Sequence, residues 1–124
     1  MKHLPILDDP PCGTERSYNG LRLAIALPKY DPAALVTVIL MADAVVCAKA
    51  GQKTPGGFYN LERMPGRVPS AEGRVMLCGT CMDARGLTQD EIIPGAARST
   101  MDELAQATIA TGKVLVFGAP VCGP

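Results

Sequence analysis

Two of the five cysteines, Cys78 and Cys81, form a C-x-x-C pair in the stretch Leu77-Cys78-Gly79-Thr80-Cys81-Met82-Asp83-Ala84-Arg85-Gly86, directly after the apolar run Val75, Met76, Leu77. A strand ending at Cys78 delivers its thiol to the lip of a sheet. Thr80 followed three residues later by Asp83 has the spacing of a capping box for the next helical turn. Cys81 is then the first helical residue, close to unpaired backbone N–H groups and the positive end of the dipole, with Arg85 one turn on. These surroundings favour a thiolate, the nucleophile in cysteine chemistry. The spacing therefore predicts a reactive site in which Cys78, Cys81 and Arg85 act, and in which the backbone around Gly79, Thr80 and Met82 holds an anion.

Other chemistry is open to the same residues. Structural zinc would need a second ligand pair, but His3 is the only histidine, and Cys12, Cys47 and Cys122 stand apart from one another. A C-x-x-C close to a βαβ pattern also fits a redox dithiol. Simple burial of the two sulfurs is a third reading, since free cysteine is often packed in cores. The flanking Gly79 and Thr80 indicate a turn at a strand end, where burial is least expected, and so favour the reactive thiol.

Composition limits what surrounds the pair. A chain of 124 residues with 48% apolar and 19% charged residues is a globular chain with enough length for a core. Twelve basic and twelve acidic side chains balance, with no block of Lys or Arg, which argues against nucleic acid or an anionic membrane as partner. The opening run Leu4-Pro5-Ile6-Leu7, followed at once by Asp8-Asp9, is too short for a signal peptide, and no stretch is long enough to span a membrane. An odd number of cysteines without a secretory signal implies reduced thiols and a cytoplasmic location.

The elements that position the cysteines follow from periodicity. Leu4–Leu7 reads as a first strand weakened by Pro5. Thr14 caps a helix over Glu15–Leu27 with Tyr18, Leu21, Ala24 and Ile25 on one stripe, ended by Pro28. Asp31-Pro32 makes a turn. The β-branched run Leu35–Met41 predicts a strand covered on both faces at the centre of a parallel sheet. Asp43 caps a helix through Ala50, stopped by Gly51, with Cys47 packed and inert. Residues 52–60 form a Gly/Pro loop, either a lid, an oligomer contact or a connector. Gly51-Gln52-Lys53-Thr54 lacks the glycine spacing and the preceding strand of a phosphate-binding loop. Asn60 caps a helical piece Leu61–Met64 that Pro65-Gly66 and Pro69 interrupt. After the strand Arg74–Cys78, Thr88 with Glu91 caps a short turn ended by Pro94-Gly95. Thr100 with Glu103 opens a helix from Met101 to about Thr111, stopped by Gly112, and Lys113–Phe117 is a final strand.

Strands alternating with helices predict an α/β sandwich with a mostly parallel sheet of four or five strands in one domain over residues 1–118, followed by an irregular tail at 119–124 in which Cys122 is exposed. Ligand and catalytic groups gather beyond the carboxyl ends of such strands. Asp8 and Asp9 to Cys12, Ala42-Asp43, and Cys78 to Cys81 all fall there, which makes Cys12 and Asp43 candidate substrate-binding residues.

These residues resemble a known family. Pro11-x-Gly13-x-Glu15, Leu21–Leu27, Leu40-Met41-x-Asp43-Ala44-Val45, Gly51-Gln52-Lys53, Tyr59-Asn60, Leu77-Cys78-x-Thr80-Cys81-x-Asp83-x-Arg85-Gly86, Glu103-Leu104-Ala105 and Lys113-Val114-Leu115 look like the DsrE/DsrF-like sulfur-relay superfamily, and most like its YchN-type branch. The resemblance covers about residues 1–117. It implies a three-layer flavodoxin-like fold, a homotrimer or homohexamer, and sulfur handling as a cysteine persulfide without a cofactor or metal. Sulfur-donor and sulfur-acceptor proteins would be the partners. The sulfur-accepting cysteine of the DsrE and TusD members falls on Cys78, and Cys81 matches the second cysteine of the YchN-type branch. The chain departs from the family at Cys12, where a tyrosine is usual, and at Ala107, near an expected tryptophan. Pro28, Pro65, Pro69 and Pro94 interrupt segments that normally run as helix. The expected function is intracellular sulfur relay; a redox-responsive dithiol or a non-catalytic oligomeric protein is the alternative.

Overall fold

The computed structural model describes residues 1–11, 15–51, 63–70 and 72–118. The expectations for Cys12, Thr14, the loop 52–60 and the 119–124 tail with Cys122 lie outside the described residues. Five strands, β1 (Lys2–Leu7), β2 (Leu35–Leu40), β3 (Arg74–Cys78), β4 (Ala96–Ser99) and β5 (Lys113–Phe117), form one sheet in the order β4-β3-β2-β1-β5, every pair parallel. The helices are α1 (Arg16–Tyr30), α2 (Arg63–Ser70), α3 (Gly79–Ala84) and α4 (Met101–Ala110), with a 3-10 helix over Ala42–Ala48 and a 3-10 turn over Gln89–Glu91.

Alternation along the strands divides the core in two. Leu7, Val36, Val38, Leu40, Val75 and Leu77 point to one face, where they meet Leu21 and Ala24 of α1, Val68 of α2, Met82 of α3, and Ala44, Val45 and Cys47. Leu4, Ile39, Met76 and Cys78 point to the other and meet Leu104 of α4. The continuous apolar run of β2 is explained by its place in the middle of the sheet, covered on both sides.

Several boundaries differ from the sequence expectation, each for a physical reason. Pro5 lies in an interior strand rather than at an edge. The β1–β5 register runs unbroken through Pro5, whereas the β1–β2 register skips Leu4 and Pro5, on the side where the missing N–H would point. Helix α1 continues past Pro28 to Tyr30, because the burial of Leu21 and Ala24 fixes the helix and the Asp31 N–H still reaches the Leu27 carbonyl at 2.9 Å. Helix α2 runs through Pro65, Gly66 and Pro69. Pro65 is its third residue, where the absent N–H belongs to a group that has no intrahelical partner.

Asp43 does not cap an α-helix. The segment is a 3-10 helix ending at Ala48, and its three-residue period stacks Ala44 with Cys47 and Val45 with Ala48 in two buried rows. Cys47 is fully buried, as expected. The edge strand β4 was not visible in the sequence, since Ala96-Ala97-Arg98-Ser99 has neither aromatic nor β-branched residues, and pairing with β3 alone makes it a strand. The capping boxes at Thr88/Glu91 and Thr100/Glu103 are both formed.

Helix α1 approaches the sheet through Gly20, where an added β-carbon would collide with Leu7 and stand 3.1 Å from the Phe117 ring. Alanine at this position would gain about 1 kcal/mol of helix propensity. Overpacking against the fully buried Leu7 costs about 1–3 kcal/mol and prevails. Gly20→Ala is expected to lower the urea midpoint; a raised midpoint would show that Leu7 and Phe117 repack freely.

Candidate functional site

Strand β3 passes into α3 with no intervening loop: Cys78 is both the last strand residue and the helix N-cap, with extended backbone at φ −62° and ψ 114°. The helix therefore starts at Gly79, one residue before the predicted cap Thr80, and Cys81 is its third residue, not its first. Thr80 is exposed within the helix. The predicted Thr80–Asp83 box is replaced by a pairing of Asp83 with Arg98.

The Cys78 side chain follows strand alternation onto the α4 face. It is only 3% exposed, among Leu4, Ile39, Met76 and Leu104, so the expectation that a strand-end cysteine escapes burial does not hold. Leu104 of α4 covers this face, so burial continues to the last residue of β3. Cys81, half-buried, lies over the end of the sheet and packs against both cores. Met82 points into the larger core, which leaves only its backbone available to a ligand. Cys78 and Cys81 are free thiols.

One helical turn returns Cys81 to Cys78, close enough for the Cys78 thiol to act on its titration. The Cys81 thiol is pushed above its ordinary range, first by burial and then by the Cys78 thiol. A backbone N–H from Ala42 and the Arg85 charge oppose the rise without cancelling it. Proximity to the helix start does not decide the titration of Cys81, which keeps its proton. Ala42 is in the left-handed region at φ 49°, uncommon for a residue with a β-carbon. That turn at the end of β2 sets the Ala42 backbone among the groups that act on the Cys81 thiol.

Arg85 joins this group to the 3-10 helix. Its Nε and Nη2 reach Asp43 Oδ1 at 2.9 and 2.8 Å, and its Nη1 donates to the Cys81 carbonyl at 3.0 Å. The structure thus brings together Asp43, Arg85, Cys81 and Cys78. Asp8 and Asp9 are engaged elsewhere. Asp9 pairs with Arg16 at 3.0 Å and its carbonyl accepts from Ser17, while burial and then the Asp9 charge push the Asp8 carboxyl up. His3 lies near the amino end of β1, away from the cysteines, and no group of three His, Cys, Asp or Glu among the described residues is placed to hold a metal.

Arg98 is the neighbour that sequence reasoning missed. It extends from β4 over the strand–helix junction and pairs with both Asp83 oxygens, at 2.6 and 2.8 Å. The pairing lowers the Asp83 carboxyl and raises the guanidinium from their ordinary values. Its backbone N–H is held by Gln89 Oε1 at 3.0 Å. No periodic signal marked β4, so nothing in the chain's pattern placed Arg98 beside residues 78–83.

Removing the Arg85 charge takes away one of the two influences that lower the Cys81 thiol. The pH profile of iodoacetamide labelling at Cys81 should therefore move to higher pH in Arg85→Gln, with slower labelling at any pH below the midpoint; an unmoved profile would show that Arg85 only ties the helices together.

Residues 1–117 match the DsrE/DsrF-like family. The chain is 39% identical over 117 residues to protein YchN of Escherichia coli (strain K12), covering 94% of this chain and 99% of that one. It is 31% identical to the uncharacterized protein MJ0989 of Methanocaldococcus jannaschii, covering 94% and 100% of the two chains. The crystal structure of the E. coli ychN protein superimposes with a TM-score of 0.85, covering 94% of this chain and 100% of that one. MTH1491 of Methanobacterium thermoautotrophicum, a protein of unknown function, shares the fold at a TM-score of 0.72 with 11% identity, covering 92% and 96%. The three-layer parallel α/β fold, the match over 94% of the chain and the family match together establish that this chain belongs to the DsrE/DsrF-like family.

Proposed function

We propose that the protein is a sulfur-relay carrier that holds sulfane sulfur as a persulfide on Cys78. Family membership supports a role connected with sulfur relay, and the observation that carries the finer reading is the close Cys78–Cys81 pair at the carboxyl end of β3. The Cys78 thiolate bonds to the terminal sulfur of a donor persulfide, the donor's S–S bond breaks, and the donor thiolate leaves. The sulfur changes carrier without net oxidation. An acceptor thiolate then takes the outer sulfur in the same way and regenerates Cys78.

Cys81, which keeps its proton, is suited to donate a hydrogen bond to sulfur carried on Cys78. It also supplies a second route: its thiolate can attack the inner sulfur of the Cys78 persulfide, forming a Cys78–Cys81 disulfide and releasing hydrosulfide. Arg85 and the backbone from Gly79 through Thr80 to Met82 support the charge. Asp43 positions Arg85. Burial of Cys78 shields a bound persulfide from water. The same adjacency favours a second reading, a dithiol sensor that closes to a disulfide on oxidation.

A reducing intracellular setting, with sulfur-donor and sulfur-acceptor proteins as partners, suits free thiols. No helix among the described residues is long and apolar enough to cross a membrane. A homotrimer or homohexamer belongs to the same proposal. Among the described residues, α4 alone packs against the second sheet face, with Leu104 its one fully buried side chain, while Val116 on the adjoining edge strand β5 is 65% exposed and Ile109 on α4 is 84% exposed. Exposed apolar surface of this kind marks protein contacts.

Two measurements test the proposal. Intact-mass spectrometry after exposure to polysulfide should show added sulfur that is lost on reduction and absent from Cys78→Ser. A loss of two hydrogens with no bound sulfur would favour the sensor, and sulfur spread over Cys12 and Cys122 would sink the carrier mechanism. In light scattering, Val116→Lys should reduce the assembly to smaller species, whereas an unchanged mass would remove this face from the interface.

A further inference from the structure

We propose that Arg98 is an anion-docking residue of the dithiol site and selects a small sulfur donor that is negatively charged over a neutral one. The donor class rests on the sulfur-carrier reading; the docking of anions beside the cysteines does not. Three observations lead here, all at the junction of β3 with α3.

The guanidinium lies against Gly79, the residue that follows Cys78. A β-carbon at Gly79 would stand 3.0 Å from Cζ and Nε and 3.1 Å from Nη2 of Arg98, so the absence of a side chain lets the charged group settle on the backbone beside the cysteine. Asp83 fixes it there by taking both terminal nitrogens in a bidentate pair, which sets the plane of the fork. The flat face of the guanidinium lies on Gly79, and of its five N–H donors the carboxylate needs only two, so Nε–H and the outer N–H groups retain donor capacity. The Arg98 side chain is 43% exposed, which makes this capacity accessible from solvent.

Arg85, on the other flank, is spent differently. Its Nε, Nη1 and Nη2 all bond to Asp43 or to the Cys81 carbonyl. Arg85 is thereby a brace between helices, and Arg98 is the guanidinium with an open edge. The Cys78 sulfur also acts on Arg98, adding to the Asp83 interaction that raises the guanidinium from its ordinary value. The influence is mutual by electrostatics: a charge that responds to sulfur at Cys78 also acts on an anion brought to that sulfur.

For a donor that carries its sulfane sulfur on an anionic group, Arg98 would hold the charged fragment while Cys78 forms a bond to the sulfane sulfur. The donor's S–S bond breaks, and the electron pair departs on the anionic fragment, still beside the guanidinium. No oxidant or reductant is consumed.

Iodoacetate and iodoacetamide provide the test, because they deliver the same carbon to a thiolate with loss of iodide and differ in charge. Labelling of the peptide that holds Cys78 and Cys81 is followed by mass spectrometry in wild type, Arg98→Gln and Arg98→Lys. Arg98→Gln should slow iodoacetate about fivefold and iodoacetamide by less than about twofold, and the difference should vanish near ~1 M salt. Arg98→Lys should retain most of the preference for the anion. An equal fall with both reagents would assign Arg98 a structural role, and an unchanged ratio would remove it from the site; either result overturns the inference. Neither rate depends on sulfur transfer, so a protein that takes up no sulfur but shows the charge-dependent ratio would keep the docking role and lose only the donor class.

Discussion

The direct passage of β3 into α3 is the constraint on which the site depends. A parallel strand buried on both faces ends at Cys78, and the next residue is already helical. Two backbone periods meet there: alternation in the strand sends Cys78 to the α4 face, and one turn of helix brings Cys81 back over it. A flexible loop at this point would let the two sulfurs separate. With no loop, chain geometry holds them close together before any tertiary contact is added.

Burial and charge then distinguish the two sulfurs. Cys78 is enclosed by Leu4, Ile39, Met76 and Leu104, whereas Cys81 is half open and retains its proton against the pull of Arg85 and the Ala42 N–H. Around them stand two carboxylate–guanidinium pairs, Asp43 with Arg85 and Asp83 with Arg98. Surface ion pairs of this kind contribute about 0–1 kcal/mol, so their importance lies in placing positive charge at the cysteines more than in stability. Each aspartate fixes an arginine that would otherwise sample many rotamers.

The sheet is covered unequally. Among the described residues, α1, α2, α3 and the 3-10 helix pack on one face, and α4 alone on the other. Cys78 belongs to the thinly covered face, which is also the face that continues into exposed Val114 and Val116 on β5. The strand end that carries Cys78 and the exposed valines of β5 therefore share one side of the molecule.

Local chemistry was legible in the chain. The apolar runs of β2, β3 and β5, the capping boxes at Thr88 and Thr100, the packed Cys47 and the cysteine pair each depend on neighbours a few residues away, and the sequence by itself determined them. Proline reads as a breaker only until position is known: Pro65 in a first turn and Pro5 opposite a skipped register position lose no hydrogen bond that the fold requires. Strand β4 and Arg98 were decided by tertiary structure, because Ala96-Ala97-Arg98-Ser99 becomes a strand only by pairing with β3. Tertiary structure also decided that Asp83 would bond to Arg98 in preference to capping its own helix, and that Cys78 would be covered by α4 rather than exposed at the lip. Sequence spacing specifies what a residue can reach along its own element; which charge lies across from it, and which helix lies above it, follow from how separate elements bury their apolar faces together.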